Sequence, residues 1–232
     1  MAKRKHRSTT APDQAIAAAG LTKAYGDVRA LAPLDLEVEA GTMVAVIGHN
    51  GSGKSTLLQL VAGLLDPTEG SVLVHGAPAG SASARADLAY IGDAPVLYDD
   101  LSVWEHLEYL GALCGLDEWE GPARELVERL GLDERVEELP VRFSRGLRQK
   151  TALAVGLLRP SRVVLVDEPF VGLDQEGKRT LVELLDERRA AGSTVVVATH
   201  DLELLAHVDR SITLEDGNLL NLDDGARAIG HG

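Results

Sequence analysis

Three short apolar runs limit the fold of this 232-residue chain more than any other feature of its sequence. They occupy residues 44–47, 163–166 and 195–198, and valine dominates each of them. Runs without polar alternation are typical of strands that are buried on both faces, as in a parallel sheet. Helical patterns at 53–62 and 175–191 supply the crossovers that parallel strands require. The sequence therefore predicts an α/β fold built around a parallel sheet.

The first apolar run leads directly into a glycine-rich loop of the pattern G-x-x-x-x-G-K-[S/T], with a helix predicted to follow. Glycines let backbone N–H groups converge on phosphate oxygens, and the helix adds the positive end of its dipole. The lysine can reach the terminal phosphates, and the serine hydroxyl can bind Mg²⁺. A flexible Gly/Ser turn with a chance lysine is the alternative. We expect ATP to contact Gly48, His49, Asn50, Gly51, Ser52, Gly53, Lys54, Ser55 and Thr56.

Polar residues also follow the second and third runs. The second run ends in Asp167 and Glu168, and the third is followed by His200. Because ligands bind beyond the carboxyl ends of parallel strands, these side chains are predicted to share one site with the loop. Asp167 could hold Mg²⁺ together with Ser55, Glu168 could orient or deprotonate an attacking water, and His200 could contact the γ-phosphate. The alternatives are a pair of helix-capping acids and a structural histidine.

The segments outside this core show two further patterns. Residues near 15–25, 28–38 and 70–75 are short and strand-like, and they predict an antiparallel β-layer beside the main sheet. Residues about 95–160 are mostly helical and predict a helical subdomain inserted into the α/β core. Within it, Ser102 and Glu105 have the spacing of a capping box. A helix is also predicted to begin near Ser144, and Cys114 is predicted to be a core thiol.

The composition of the chain limits the classes of partner that it is expected to bind. The chain holds 36 acidic and 23 basic residues, a net charge of −13, and only 3% aromatic residues. Such a body repels nucleic acid and offers few stacking surfaces, so no nucleic-acid partner is expected. No apolar stretch is long enough to span a membrane, and a single cysteine fits a reducing compartment.

The predicted organisation has three parts. Residues 1–13 form a basic disordered arm, residues 14–222 form the folded domain, and residues 223–232 form a loose C-terminal tail. The first ten residues of the arm carry Lys3, Arg4, Lys5 and Arg7 without an acidic residue. We interpret it as a solvated tail; the alternative is contact with anionic lipid or RNA.

In this order, these motifs resemble the nucleotide-binding domain of ATP-binding cassette (ABC) proteins over residues 15–222. The most discriminating segment is 143–150, FSRGLRQK, which is similar to the ABC signature that other phosphate-loop enzymes lack. Residues 163–168 resemble Walker B. The remaining matches are Asp174 in the D-loop, His200 as the switch histidine, and Tyr25 with Val28 at the adenine.

The resemblance implies an ATPase with ATP and Mg²⁺ as cofactors. Two cassettes would face each other head to tail, as a homodimer or a heterodimer. Ser144, Arg145, Gly146 and Leu147 of each chain would then contact the ATP held by the other. The resemblance also implies a separate membrane permease as partner and a peripheral position on the cytoplasmic face of the membrane. The complex of two cassettes and a permease would then be an ABC transporter of exporter type.

Two residues depart from the family pattern. Arg145 stands where a glycine is usual in the signature, a variant that is similar to exporter subunits and could add positive charge near phosphate. Asp93 stands where the family has the Q-loop glutamine. A carboxylate can bind Mg²⁺ or water but cannot donate an amide hydrogen bond. We therefore expect Asp93 to bind Mg²⁺ or a water at the metal site, although the resemblance would place a glutamine there.

Two other functions remain open from the sequence. One is a soluble ABC ATPase that acts on nucleic acid or the ribosome, although the compact single cassette and the acidic body count against it. The other is a nucleotide-sensing regulatory module without turnover. The combination of Lys54, Asp167, Glu168 and His200 favours hydrolysis over sensing alone.

Overall fold

The structure is a computed structural model that describes residues 13–224 of the chain. The predicted basic arm lies outside the described residues except for Asp13, and so do residues 225–232 of the predicted tail. Residues 223 and 224 belong to the last strand, where they pair with Ser211 and Arg210 of the neighbouring strand. The prediction that the tail begins at 223 is therefore wrong by two residues, because backbone pairing continues to that point.

The central sheet has six strands in the spatial order β10-β9-β3-β8-β7-β6. All neighbouring pairs are parallel except β9 with β10. The three apolar runs form β3, β8 and β7, side by side in the middle of this sheet, which confirms the predicted buried parallel strands. The strands are β3 (Met43–Ile47), β6 (Leu88–Ile91), β7 (Val163–Asp167), β8 (Thr194–Thr199), β9 (Arg210–Glu215) and β10 (Asn218–Asp224).

A second, antiparallel sheet has the order β2-β1-β4-β5, which confirms the predicted β-layer. The second half of β2 alternates buried and exposed residues, as expected for a sheet with one face on a core. The strands are β1 (Gln14–Tyr25), β2 (Val28–Glu39), β4 (Glu69–Val74) and β5 (Ala77–Pro78).

Six α-helices are found among residues 13–224, and three of them lie between residues 95 and 160, as predicted. Ser102 and Glu105 form the predicted capping box, and Ser144 caps the predicted third helix of this block. The helices are α1 (Lys54–Ala62), α2 (Ala82–Asp87), α3 (Val103–Cys114), α4 (Glu120–Arg129), α5 (Arg145–Leu158) and α6 (Gln175–Ala190). Short 3₁₀ turns lie at Asp133–Arg135, Pro140–Arg142 and Leu202–His207.

Two hydrophobic clusters cover the two faces of the central sheet. One fills the space between this sheet, α1 and the antiparallel sheet, and the other lies under α3 to α6. Cys114 is only half-buried, not a core thiol as predicted, because it ends α3 just before the left-handed turn at Gly115. No helix in the described part of the chain is long and apolar enough to cross a membrane.

Candidate nucleotide site

The glycine-rich loop joins the end of β3 to the start of α1. Gly53 has a φ of 103°, and a Cβ there would lie 2.8 Å from the Ala30 carbonyl oxygen, so a larger residue would be strained and crowded. Lys54 is buried, and its ammonium donates to the carbonyl oxygens of Gly48 at 2.8 Å and His49 at 3.2 Å. The loop thus wraps around the lysine and holds its charge at the carboxyl edge of the sheet.

A turn between β9 and β10 supports this loop and was not anticipated from the sequence. The Gly217 N–H donates to the Ser52 carbonyl at 3.0 Å, and the Gly217 carbonyl accepts from the Ala32 N–H at 2.8 Å. Nε2 of His49 lies 3.3 Å from a carboxylate oxygen of Asp216. The Asp-Gly dipeptide is a signal for a turn. Nothing in the sequence, however, tells that this turn contacts the phosphate loop.

Asp167 ends β7 as a fully buried carboxylate. Neither of its oxygens has a hydrogen bond of good geometry among the described residues, although the Ser55 hydroxyl interacts with the carboxylate as a donor. Burial is the main cause that raises its pKa to about 6; the Ser55 hydroxyl opposes this most strongly, the nearby carboxylates of Asp93 and Glu168 add to it, and Lys54 also opposes it. A buried carboxylate that is weakly hydrogen-bonded is costly, and a cation beside it would reduce that cost.

These features fit a magnesium site. Mg²⁺ in nucleotide sites usually binds one or two protein ligands together with phosphates and waters. Asp167 and Ser55 offer a carboxylate and a hydroxyl at the edge of the phosphate loop, and Asp93 lines the same cleft. No group of three or more His, Cys, Asp or Glu side chains within residues 13–224 is arranged to hold a metal by itself. The donor set therefore suits a cation that arrives with a nucleotide.

Glu168 connects the phosphate loop to the third strand end. One carboxylate oxygen lies 3.1 Å from Nζ of Lys54, and the other lies 2.8 Å from Nδ1 of His200. Its backbone has a φ of 45°, which costs about 1–2 kcal/mol for a residue with a Cβ. The Glu168 N–H donates to the Ala198 carbonyl on β8 at 2.8 Å, which holds this conformation. The predicted convergence of the three strand ends is thus present.

A cleft of about 710 Å³ opens over these groups. That volume suits a nucleotide-sized ligand. Ala30 and Val171 also line it, and sequence reasoning missed both because neither side chain carries chemistry. The cleft-lining residues that the sequence predicted for this site are Asn50, Gly51, Gly53, Lys54, Ser55, Thr56, Asp93, Glu168 and His200.

Tyr25 and Val28, predicted to contact the adenine, are not among the residues that line this cleft. They face each other across the turn between β1 and β2 and are 51% and 68% exposed. The Lys23 ammonium lies 5.1 Å from the centre of the Tyr25 ring. Ala30, two residues beyond Val28 on β2, lines the cleft. The aromatic side chain of Tyr25 is therefore accessible, on the strand pair that carries Ala30.

The signature-like segment forms the start of α5. The Ser144 hydroxyl accepts from the Leu147 N–H at 3.3 Å, so Ser144 is the N-cap. Ser144 and Arg145 are exposed, whereas Gly146 and Leu147 are partly buried. Arg145 also lines the cleft of its own chain.

Gly146 packs directly on the loop that follows β7. A Cβ at Gly146 would collide with the Gly172 carbonyl oxygen, so the two backbones approach more closely than any side chain allows. Two residues on, Asp174 caps α6 by accepting from the Gly177 N–H at 2.8 Å. The signature-like and D-loop segments are therefore in contact within one chain.

Comparison with known proteins agrees with this geometry. The family model described as ABC transporter matches residues 31–171, well over half of the chain. The aliphatic sulfonates import ATP-binding protein SsuB of Pseudomonas putida is 36% identical over 206 residues, which are 88% of this chain and 74% of SsuB. The macrolide export ATP-binding/permease protein MacB 2 of Aeromonas hydrophila is 35% identical over 202 residues. Those residues are 83% of this chain but only 31% of that protein.

Among solved structures, the fold is similar to the dimeric post-hydrolysis state of the ATP-binding cassette MJ0796 bound to ADP and Pi. The TM-score is 0.83 at 26% identity, with 90% of this chain and 98% of that chain covered. The fold, the phosphate loop and the two comparisons all agree with the family match. The chain therefore belongs to the ABC transporter family, as an ATP-binding subunit with ATPase activity.

Proposed function

We propose that this cassette hydrolyses Mg-ATP to drive a membrane permease. The observation that carries the proposal is the continuous contact from Lys54 through Glu168 to His200, beside the buried carboxylate of Asp167. This arrangement places a cation, a base and a proton-bearing ring around one cleft. A sensing module would need the phosphate loop but not the Glu168–His200 pair.

Each side chain has a distinct role in hydrolysis. Lys54 and the loop N–H groups bind the phosphates, and Ser55 and Asp167 hold Mg²⁺, with Asp93 as a further metal or water contact. Glu168 orients the attacking water and accepts its proton, while His200 contacts the γ-phosphate. When bound, Mg²⁺ neutralises phosphate charge. Tyr25 stacks on the adenine, with Val28 beside it. Remaining loop contacts come from Gly48, His49, Asn50, Gly51, Ser52, Gly53 and Thr56.

The functional unit is a head-to-tail homodimer, with a heterodimer as the alternative. The start of α5 then closes the cleft of the other copy, so that Ser144, Arg145, Gly146 and Leu147 contact its γ-phosphate and Asp174 lies at the interface. Support comes from the exposure of Ser144 and Arg145 at a helix N-terminus. Further support comes from the dimeric state of the similar MJ0796 structure.

The permease docks on the helical block. A groove of about 310 Å³ lies between the segment after β6 and α5, and apolar residues such as Val96, Leu97 and Val155 line it. Val96 is 97% exposed and Leu113, on α3, is 68% exposed. Exposed apolar surface of this kind marks a protein partner. The occupant is an amphipathic cytoplasmic segment of the permease, which holds the cassette at the cytoplasmic face of the membrane.

The direction of transport is export. The support is Arg145 in the signature, which is similar to exporter-type cassettes, together with the likeness to MacB 2, a macrolide export protein. SsuB, an import protein, is equally similar overall, so identity does not decide between the two. Comparing the small-molecule and peptide content of cells that carry the wild-type chain or Glu168→Gln tests this point. Export predicts that a compound accumulates inside the mutant cells; depletion of a compound inside them would contradict it.

Affinity purification from gently solubilised native cells, followed by mass spectrometry, tests the coupling. We expect a polytopic membrane protein in stoichiometric amount with the wild-type chain. A matched preparation of Val96→Asp should lose that protein while keeping its ATPase activity. Soluble or ribosomal partners without any membrane protein would contradict the proposal and leave the ATPase activity intact.

A further inference from the structure

A short ion pair lies behind the nucleotide cleft, between α6 and the segment that follows His200. Nζ of Lys178, in the first turn of α6, donates to Oδ2 of Asp201 at 2.6 Å. The two side chains are only 25% and 19% exposed, so water screens the pair less than it screens a surface pair. The hydrogen bond to Asp201 raises the pKa of Lys178, and its counterpart lowers the pKa of Asp201.

Asp201 controls the backbone next to the histidine. Its N–H donates to the Thr199 hydroxyl at 2.9 Å, and its Oδ1 accepts from the Glu203 N–H at 3.0 Å. It therefore caps the 3₁₀ turn on one side of His200 and is tied to the end of β8 on the other. His200 itself is 57% exposed, and its Nδ1 contacts Glu168. An exposed ring of this kind depends on its backbone for position.

Lys178 reaches Asp201 from the D-loop side. Its backbone N–H donates to the Asp174 carbonyl at 2.9 Å in the first turn of α6. Its ammonium also lies 6.0 Å from the centre of the Phe170 ring, two residues after Glu168. One side chain thus contacts the segments that follow both β7 and β8, the two strands that end in Glu168 and His200.

We infer that Lys178 is a positioning residue for ATP hydrolysis, which acts by holding Asp201 so that His200 stays in contact with Glu168. This inference rests on the proposed role of His200 at the γ-phosphate. It assigns Lys178 no contact with the nucleotide: Lys178 is not among the residues that line the cleft. Its loss should therefore change the chemical step and leave ATP binding nearly intact.

A purely structural ion pair would behave differently. The loss of a pair that serves only stability lowers the melting temperature without a selective effect on turnover. The discriminating readout is therefore the separation of kcat from KM. The conservative change Lys178→Arg keeps a cation that can still donate to Asp201, and it should restore what Lys178→Met loses.

The test compares steady-state ATPase kinetics of Lys178→Met, Lys178→Arg and the neighbouring Arg179→Met. Arg179 is 72% exposed and its nearest acid, Glu183, is 3.9 Å away, so it is a matched control on the same helix. Because small displacements of catalytic groups are costly, we expect Lys178→Met to lower kcat about tenfold, with KM changed less than about twofold. Lys178→Arg should recover most of kcat, and Arg179→Met should match the wild type.

Three results would overturn the inference: wild-type kcat in Lys178→Met, no rescue by arginine, or an equal loss of kcat in Arg179→Met. Asp201→Asn keeps the capping oxygen and should lower kcat in the same direction. The double variant should then be no slower than the slower single variant, because both changes break one contact. Fully additive losses would contradict a shared path.

His200→Ala separates this inference from the proposed function. If His200→Ala loses turnover while Lys178→Met does not, the positioning role is wrong and the role of His200 stands. If His200→Ala keeps wild-type turnover, the proposed role of the histidine is wrong, and the inference about Lys178 falls with it.

Discussion

The nucleotide cleft and the helical block use their residues in opposite ways. In the cleft, charged groups are buried: Lys54 is 5% exposed and Asp167 is fully buried. In the helical block, large apolar groups are exposed: Val96 is 97% exposed and Leu113 is 68% exposed. Buried charge is retained where chemistry needs it, and exposed apolar surface is retained where a partner covers it. We therefore propose that this chain supplies the catalytic groups and that a partner chain covers its exposed apolar surface.

The largest effect is expected for Glu168→Gln. Glutamine keeps the shape but cannot accept a proton, so turnover should fall about 100-fold or more while ATP still binds. With hydrolysis blocked, the ATP-bound dimer should accumulate, which light scattering measures in saturating Mg-ATP. The exposed Glu128→Gln on α4 is the control and should behave as the wild type. Finding only monomer would contradict the closed dimer.

Val96→Asp tests the apolar groove of the helical block. A carboxylate in the apolar groove should weaken permease binding about tenfold or more, while the ATPase activity of the isolated chain stays unchanged. Leu220→Asp, at another exposed apolar residue, on β10, is the control and should keep the permease. Equal pull-down of the permease by Val96→Asp and wild type would show that the groove is not the docking site.

Asp93, the residue changed in Asp93→Ala, lies where the nucleotide cleft and the apolar groove of the helical block meet. Asp93 lines the cleft, and the groove begins at the residues on either side of it, Gly92 and Ala94. Loss of the carboxylate should weaken hydrolysis about tenfold, more than it weakens Mg-ATP binding, because water and metal orientation suffer first. Asp93→Gln should keep most of the turnover. The assignment would be wrong if isothermal titration showed a loss of Mg-ATP affinity in Asp93→Ala while turnover per bound ATP stayed normal.

The last prediction concerns the stability of the folded chain at Asp167, not turnover or binding. Its folded pKa of about 6 exceeds the ordinary 3.8, so the folded chain without metal binds more protons between these values, and stability rises as pH falls through that window. A shift of two units corresponds to about 3 kcal/mol. Asp167→Asn in EDTA should therefore melt a few degrees higher than wild type at pH 7.5. The gain should vanish near pH 4; a lower melting temperature at pH 7.5 would contradict this.

The sequence predicts the centre of the fold better than its edges. Continuous valine-rich runs made β3, β7 and β8 recognisable, because strands buried on both faces leave no room for polar residues. Strands β6, β9 and β10 were missed. The short strand β6 and strand β10 lie at the two edges of the sheet, where one side of a strand is exposed, and β9, between β10 and β3, mixes polar residues into its pattern.

Some parts of the candidate site were likewise predictable from the sequence, and others were not. Glu168 and His200 were predictable because parallel strands end at one edge of a sheet, so their distance along the chain does not matter. The support that Asp216 and Gly217 give to the phosphate loop was not, since a turn signal carries no information about its tertiary contacts. The ion pair between Lys178 and Asp201 was missed for the same reason. Residues that act through their backbone or through a second residue leave no motif.

The most direct test of the proposed head-to-tail dimer is complementation between two inactive variants. Lys54→Ala disables the cleft of its own chain. Ser144→Asp keeps a good helix cap but brings a negative charge to the phosphate that α5 would contact. If α5 closes the cleft of the other copy, each variant alone is inactive, but a mixed dimer contains one intact cleft facing one intact α5.

The measurement is the ATPase activity of the two variants apart and in equal mixture. We predict that the mixture recovers about a quarter of the wild-type activity, because half of the dimers are mixed and each of these has one working site. A mixture as inactive as its components would rule out a dimer in which α5 closes the cleft of the other copy. It would mean that Ser144 and Arg145 serve the cleft of their own chain.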